Sequence, residues 1–175
     1  IVEISHQDSK VTVKSTHSNS EFATYDVREY PSLVNFRSTS SYILNSKSFL
    51  EGMIRTIPAA AQTPENLAIN CIRIDINKNI MKLISSDSYR LFYYEKEIAE
   101  IDGVSLNLSI PLKTIEILMK IIRTASDESL QIKYENNQIM FNINNVTLVS
   151  KLIDLPYPDY NSIIESLSFD KTVKC

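Results

Sequence analysis

This sequence contains very little glycine: Gly52 and Gly103 are the only two in 175 residues. A glycine-rich loop, which brings backbone amides close to a phosphate, cannot be built from them, and this argues against the common nucleotide-binding enzymes. The two histidines, His6 and His17, have no Cys or His neighbour at ligand spacing. A metal site needs three or four converging donors, so we expect neither a metal nor a cofactor.

Cysteine is also scarce, and long apolar runs are missing. Cys71 and Cys175 show no metal-site spacing, which favours free thiols in a reducing compartment. No stretch approaches the ~18 consecutive apolar residues of a membrane span, and no signal peptide is visible. We therefore expect a cytoplasmic protein without a membrane partner.

The charge balance is acidic rather than basic. The formal net charge is −3 and the sequence pI is about 5.4. Proteins that hold DNA through many phosphate contacts use numerous Lys and Arg side chains, so this balance argues against that mode of binding. Four carboxylates are candidates for an acid/base pair, but their spacing does not make any two face each other: Asp75, Asp87, Glu95 and Glu97. We interpret them as solvated strand residues and predict no catalytic site.

The most informative feature is an internal repeat. YILNSKSFLEGMIRTI and LSIPLKTIEILMKII both read as a strand, a turn and an amphipathic helix. Four residues correspond at a constant offset of 66 positions: Lys47, Ser48, Phe49 and Met53 match Lys113, Thr114, Ile115 and Met119. Three strand-like segments follow each helix. A tandem repeat of this kind predicts a pseudosymmetric domain in which the two copies share one core.

Apolar spacing predicts the two helices and their buried faces. The first stripe is Leu50, Met53, Ile54 and Ile57, and the second is Ile115, Leu118, Met119 and Ile122. Asn45 or Ser46 can cap the first helix, and Pro111 suits the first turn of the second. Strand-like segments are found at residues 1–5, 10–15, 20–25, 67–76, 80–85, 89–97, 104–110, 129–134, 138–143 and 146–153. The fold class is therefore α+β, with two helices packed on antiparallel sheets.

Two segments carry a more specific signal. LISSDSYRLFYY contains a strand and then Ser86, Asp87, Ser88, Tyr89, Arg90 and Leu91, and SKLIDLPYPDYNSII contains Tyr157, Pro158, Asp159 and Tyr160. Together with an EYPSL linker and the repeat, these segments resemble the bacterial DNA polymerase III β subunits, the sliding clamps. The resemblance covers essentially the whole chain. It implies a DNA clamp fold, with the last strands of a first domain at residues 1–35, a complete middle domain at 36–164 and the start of a third at 165–175.

The resemblance also implies a function. Sliding clamps are non-catalytic processivity factors: homodimeric rings that encircle duplex DNA and bind short peptide motifs of polymerase subunits, the clamp loader and repair proteins. A ring that cannot fall off needs only a mildly positive lumen, which fits the acidic pI. The expected DNA-facing residues lie on the two helices: Lys47, Arg55, Lys113, Lys120 and Arg123. Each could equally be a solvated helix residue paired with Glu51 or Glu116.

Carried over residue by residue, the second domain's share of the peptide cleft is Ile69, Ser86, Ser88, Tyr89, Arg90, Leu91, Pro158, Ser162 and Ile163. The apolar members would form the walls, and Arg90 could donate to peptide carbonyls. Three positions depart from the family pattern: Ser88 stands where Gly is common, Tyr89 where His is common, and Ser162 where some members have Arg. Ser88 matters most, because a turn that requires positive φ favours Gly.

Two other functions stay open at this point. A hydrolase on a β-rich scaffold would need a deep polar pocket joining Asp87 to a second carboxylate. A peptide-binding β-rich scaffold without a DNA role would have the hydrophobic cleft but no basic helix face.

Overall fold

The computed structural model describes residues 1–29, 36, 41–63, 65–99 and 105–167. The chain divides into two compact units, Ile1–Asn35 and Phe36–Cys175. The first unit is a three-stranded antiparallel sheet of β1 (Glu3–Gln7), β2 (Lys10–Ser15) and β3 (Ser18–Ala23), followed by a 3-10 turn at Val27–Glu29. None of its described side chains is buried. The expected EYPSL linker falls outside the described residues, as do Gly103, Cys175 and residues 168–175.

The second unit contains eight strands and three α-helices among its described residues. In chain order these are β4 (Tyr42–Asn45), α1 (Ser46–Thr56), β5 (Cys71–Asn77), β6 (Ile80–Ser86), β7 (Leu91–Glu97), β8 (Ser105–Pro111), α2 (Leu112–Thr124), β9 (Ser129–Glu135), β10 (Gln138–Ile143), β11 (Val146–Lys151) and α3 (Tyr160–Ser166). Both expected helices are confirmed and each expected strand has a counterpart, but residues 67–70, expected to be strand, form a turn before β5, and α3 was not expected. In the described part of the chain, no helix has the length and hydropathy to cross a bilayer.

Local chemistry explains where the two long helices begin. Asn45 caps α1, because its side-chain oxygen accepts a hydrogen bond from the backbone N–H of Ser48 at 2.9 Å. Pro111 was expected in the first turn of α2, but it precedes the helix with extended backbone angles, φ −52° and ψ 139°. The reason is strand pairing: β8 stays paired with β5 as far as Pro111, which lies opposite Cys71.

The sheet topology follows from the repeat. Each half contributes a strand, a helix and then three strands, but the first strand of each half joins the other half's sheet. The two antiparallel sheets therefore have the orders β7-β6-β5-β8 and β11-β10-β9-β4. Because the exchange is reciprocal, each strand of one half has the same position in its sheet as the matching strand of the other half, as an approximate twofold axis requires. The exchange also ties the halves into one core, to which α1, α2 and both sheets contribute.

The buried face of α1 differs from the expected stripe. Ile54 was expected to be buried, but 44% of its surface is exposed. Met53 is buried as expected, whereas Leu50 and Ile57 are half-buried, and Phe49 and Thr56 complete the buried face. Phe49 sets this rotation, since its ring packs on Phe141 of β10 with ring centroids 6.4 Å apart. In α2 the expected stripe is confirmed: Ile115, Leu118, Met119 and Ile122 are all buried.

The two halves diverge at two connections. Leu112 starts α2 66 positions after Ser46 starts α1, but Ser129 starts β9 only 58 positions after Cys71 starts β5. The first half therefore has a longer link between its helix and its next strand. The offset falls again, to 55, between Leu91 and Val146, because the connection from β6 to β7 is longer than that from β10 to β11. This second insertion carries the candidate site.

Candidate functional site

The connection between β6 and β7 is a four-residue loop, residues 87–90, closed at its base by the strand pair Ser86 and Leu91. The equivalent link in the second half is a two-residue hairpin at residues 144–145. The sequence predicted a strand from Tyr89 onward, but β7 begins at Leu91, so Tyr89 and Arg90 belong to the loop. Tyr89 is 97% exposed at this position. The extra loop residues are therefore free to form a surface that the other half lacks.

Asp87 organises this loop. Its Oδ1 accepts hydrogen bonds from the backbone N–H groups of Tyr89 and Arg90, each at 3.1 Å, and its Oδ2 accepts one from Arg90 Nε at 2.9 Å. The backbone bond from Tyr89, followed by the bonds from Arg90, lowers the pKa of the Asp87 carboxyl. Among the described residues, the terminal amino groups of Arg90 have no acceptor, so they remain able to donate to a ligand.

Ser88 adopts the left-handed backbone conformation, with φ of 75°. Its backbone N–H donates to Ser86 Oγ at 3.1 Å. The turn therefore does require positive φ, which is the conformation for which Gly is preferred. Ser88 is accommodated at some cost in strain, and the turn is held by its bond to Ser86 and by the bonds of Tyr89 and Arg90 to Asp87.

The second segment with a specific signal lies across the sheet β7-β6-β5-β8 of the second unit, which we call the first sheet. We call residues 152–159 the connecting segment, because it runs from β11 to α3. The backbone N–H of Leu152 donates to Asn137 O at 3.0 Å, and that of Ile153 to Ser109 O on β8 at 2.9 Å. Asp159 then caps α3 by accepting from the backbone N–H groups of Asn161 and Ser162, at 3.1 and 3.3 Å. Residues from both sheets thus guide the chain toward α3.

The two segments meet through Tyr160, the first residue of α3. Its ring lies against that of Tyr93 on β7, with centroids 6.2 Å apart, and its hydroxyl donates to Asp75 on β5. Side chains alternate along β7, so Leu91 lies on the same face of the sheet as Tyr93. The contacts of Tyr160 therefore place α3 on the face of the sheet that carries Leu91 and Tyr93, and Leu91 directly follows the β6–β7 loop.

The nine expected cleft residues have different environments. Ser86 and Leu91 form the base of the loop, and Ser88, Tyr89 and Arg90 lie within it. Pro158 is in the connecting segment, while Ser162 and Ile163 are exposed on α3. Ile69 precedes β5 and is only 4% exposed. Leu91 and Pro158 line different cavities, of about 470 and 460 Å³.

The five expected DNA-facing residues are all exposed on α1 and α2, two helices that contact each other. Three of them form ion pairs: Lys47 with Glu128, Arg55 with Glu51 at 3.0 Å, and Lys113 with Glu116 at 3.3 Å. The last two are the helix-surface pairs that the sequence offered as the alternative. Lys120 and Arg123 have no acidic partner among the described residues. Pairs exposed to this degree are weak and can exchange with other anions.

The four strand and loop carboxylates all have local donors. Asp75 accepts from Arg73 Nε at 2.8 Å, and Glu97 from Asn79 Nδ2 at 2.9 Å. Glu95 accepts from the Tyr93 hydroxyl, and Asp87 holds the loop. Their observed contacts are those of structural groups. Cys71 is buried, and that burial raises the pKa of its thiol to about 11, so the thiolate is scarce at neutral pH.

Sequence reasoning missed Tyr160 as a contact residue, and treated Asp75 as a solvated strand residue. The sequence indicates Tyr160 only as the last residue of the segment Tyr157, Pro158, Asp159 and Tyr160. One signal in the sequence could have indicated this contact. Asp159 is a good N-cap, so it predicts a helix that begins at Tyr160, and a short helix needs a buried side chain to fix it to the rest of the domain.

Comparison with known proteins gives one family. Residues 43–159 match the model of the DNA polymerase III beta subunit, central domain. The beta sliding clamp of Haemophilus influenzae is 22% identical over 163 residues, 93% of this chain and 44% of the relative. That of Mycoplasma capricolum is 25% identical over 154 residues, 87% of this chain and 40% of the relative. The chain thus spans less than half the length of these curated relatives.

Solved structures show the same fold. The DNA polymerase sliding clamp of Bacillus subtilis aligns with a TM-score of 0.83 at 23% identity, covering 95% of this chain and 44% of that one. A sliding clamp of Pseudomonas aeruginosa bound to griselimycin aligns with a TM-score of 0.79 at 20% identity, covering 93% and 44%. The expected α+β clamp fold is confirmed by these alignments.

Proposed function

The chain belongs to the family of the DNA polymerase III beta subunit, whose central-domain model it matches, and on this premise we propose that it is part of a sliding clamp. Such a clamp is the processivity factor of the replicative polymerase: a ring that encircles duplex DNA, slides along it and binds short peptide motifs. In this account residues 1–35 close a first domain, residues 36–164 form the middle domain and residues 165–175 begin a third. The full-length subunit then pairs with a second copy to close the ring.

The observation that carries the DNA role is the placement of α1 and α2. The strand exchange sets these helices side by side, and both expose Lys and Arg on the faces turned away from the core. Five cations and two glutamates, Glu51 and Glu116, lie on these faces, which makes the surface mildly positive within an acidic chain. A surface of this kind supports weak contact with the phosphate backbone without sequence recognition. A closed ring needs no stronger attachment.

The β6–β7 loop and α3 support the peptide-binding role. The loop is an insertion relative to the second half of the repeat, and it is held in one conformation by Asp87. An exposed Tyr89, an exposed Ile163 and an Arg90 whose terminal amino groups have no acceptor among the described residues provide the mixture of aromatic, Arg and apolar contacts that is typical of short-motif recognition. The partners are polymerase subunits, the clamp loader and repair proteins.

This function requires no catalysis and no cofactor, and it places the protein in the cytoplasm with the chromosome. The strand carboxylates and the buried Cys71 have structural contacts, which supports a non-enzymatic role.

Charge reversal tests the DNA role. In the full-length subunit, Lys113→Glu, Lys120→Glu and Arg123→Glu are combined, and the salt dependence of DNA association is measured. We expect the slope of log affinity against log salt to become shallower, because fewer counterions are released. The matched control combines Lys14→Glu, Lys78→Glu and Lys151→Glu, which make the same change in charge at exposed positions outside α1 and α2. An unaltered slope in the helix variant, or an equal change in the control, would refute the DNA-facing assignment.

The peptide-binding scaffold without a DNA role is the competing function. The ion pairs of Lys47, Arg55 and Lys113 favour it, because paired cations are partly neutralised. The same experiment decides between the two functions: a pure scaffold would bind a labelled peptide with Leu and Phe anchors but show no response to charge reversal on α2.

A further inference from the structure

The short helix α3 depends on one side chain for its position. It has only seven residues, and a helix of this length is not stable by itself in water. Tyr160 is its one buried residue, with 7% of its surface exposed. The exposed Ser162 and Ile163 lie in the same first turn of the helix, so their location is determined by how Tyr160 is held.

Asp75 receives Tyr160 in a network that is already hydrogen-bonded. Its Oδ2 accepts from the Tyr160 hydroxyl, while its Oδ1 accepts from Arg73 Nε at 2.8 Å. With its side-chain amide oriented to donate, Asn107 on β8 gives Oδ1 a further bond at 2.8 Å. Arg73 also donates to Ser109 Oγ at 3.4 Å. Because these neighbours come from β5 and β8, the acceptor is fixed in the sheet before α3 docks on it.

Tyr93, on the same face of the sheet as Asp75, contacts the ring of Tyr160. Its own hydroxyl donates to Glu95, and Lys82 Nζ lies 5.7 Å from its ring centroid. Lys82 also pairs with Glu95 at 3.8 Å. Tyr93 is therefore anchored to β6 and to its own strand. Two of the four strands of the sheet, β5 and β7, thus make direct contact with Tyr160.

We infer that Tyr160 and Asp75 are positioning residues, which dock α3 on the first sheet and so set Ser162 and Ile163 at the correct place for the peptide. This inference rests on the proposed function. Neither residue is among the nine that we expect in the cleft, and Tyr160 is too buried to offer a peptide much surface. Their effect on binding is indirect. The peptide binds only molecules in which α3 is docked on the sheet, so the apparent affinity is proportional to the fraction of molecules in that form.

Tyr160→Phe tests this role in the full-length subunit. The substitution keeps the ring contact with Tyr93 and removes only the hydroxyl that Asp75 accepts. Binding of a fluorescein-labelled peptide with Leu and Phe anchors is followed by stopped-flow anisotropy. We expect the association rate constant to fall by up to about fivefold, because losing one net hydrogen bond of about 1 kcal/mol lowers the docking equilibrium constant by that factor. The dissociation rate constant should stay unchanged, since the docked complex is the same.

Tyr94→Phe is the matched control. Tyr94 lies on β7 directly after Tyr93, and like Tyr160 it donates its hydroxyl to a carboxylate, that of Glu51 at 3.2 Å, but on the opposite face of the sheet. It should leave both rate constants unaltered. Asp75→Asn provides a second variant of nearly the same shape, and it should lower the association rate constant by a smaller factor. Unfolding midpoints of all variants are recorded alongside.

The split between the two rate constants separates positioning from other roles. A rise in dissociation rate with unchanged association would mean that Tyr160 contacts the peptide directly, and equal rates in all variants would mean that the docking bond is irrelevant; either result overturns the inference. Amide hydrogen exchange of residues 163–166 gives a readout that needs no peptide. If the wild-type subunit bound no peptide, the proposed function would fail, whereas unchanged exchange in Tyr160→Phe would reject the docking role alone.

Discussion

At the scale of single residues, Ser88 is the clearest point of strain. At φ of 75° any residue other than Gly has steric strain between its Cβ and the backbone, and this strain is larger for a β-branched side chain. We expect Ser88→Val to lower the free energy of unfolding by about 1–2 kcal/mol, and Ser88→Gly to raise it by about 0.5 kcal/mol. Urea denaturation measures both values. Ser105→Val, at an exposed strand position, is the control and should not destabilise the protein; equal losses at both positions would remove the argument from backbone strain.

The Asp87 carboxylate gives the loop a defined response to acid. Its pKa is lowered in the folded protein, first by the backbone bond from Tyr89. A carboxyl with a lowered folded pKa stabilises the fold above its unfolded pKa, and that contribution is lost as the pH falls through the lower value. When the pH is lowered, the amide NMR shifts of Tyr89 and Arg90 should therefore stay constant through the range in which ordinary carboxyl groups titrate, and change only below it. Asp87→Asn should abolish the transition, and a transition in the ordinary range would contradict the assigned bonds.

The sequence predicted single residues well where local chemistry determines their role. Asn45 is the N-cap, and Ser88, singled out because the turn could require positive φ, does have positive φ. Contacts between distant segments were less accessible. Asp75 and Tyr160 are 85 positions apart, and no local pattern shows that a strand carboxylate will accept a bond from a helix that follows much later.

At the scale of elements, α1 lies unusually close to its sheet at Gly52. A Cβ atom there would lie 2.9 Å from Cδ1 of Tyr94 and 3.1 Å from Cδ1 of Leu83. The corresponding position in α2, 66 residues later, is the buried Leu118. The close approach explains why a glycine is kept inside a helix, where it is otherwise unfavourable.

Gly52→Ala should therefore destabilise the protein although Ala is the better helix former. Overpacking costs about 1–3 kcal/mol, and the gain in helix propensity offsets about 1 kcal/mol of it. We expect a net loss of about 1 kcal/mol in thermal or urea unfolding. In a Tyr94→Ala background most of this loss should disappear, because the ring that meets the new methyl group is gone. A stabilising Gly52→Ala in the wild-type background would contradict the close approach.

Helical periodicity located both helices, but it identified the buried face of only one. In α2 the apolar residues form a single stripe, so the prediction had one solution. In α1 apolar residues occur on more than one side, and Phe49, Gly52 and Thr56 take the buried face while Ile54 is exposed. Ring packing on Phe141 and the small volume of Gly52 decide this rotation, and both depend on elements far along the chain.

At the scale of the whole molecule, the repeat predicted the domain but not the exchange of its strands. Matching segments indicate two similar halves, and they do not state which sheet each first strand will join. The structure pairs β4 with β9 and β8 with β5, which buries both helices in one core. The longer β6–β7 loop is one of the two connections at which the halves differ, and the candidate peptide site lies there.

We propose that this domain is part of a ring that topology holds on DNA. The most direct measurement is the lifetime of the full-length, loaded protein on a nicked circular duplex, before and after a single cut that linearises the DNA. We predict that it stays on the circle even at high salt, where weak phosphate contacts are screened, and that it leaves soon after the cut by sliding off the ends. Equal lifetimes on circular and linear DNA would contradict the account.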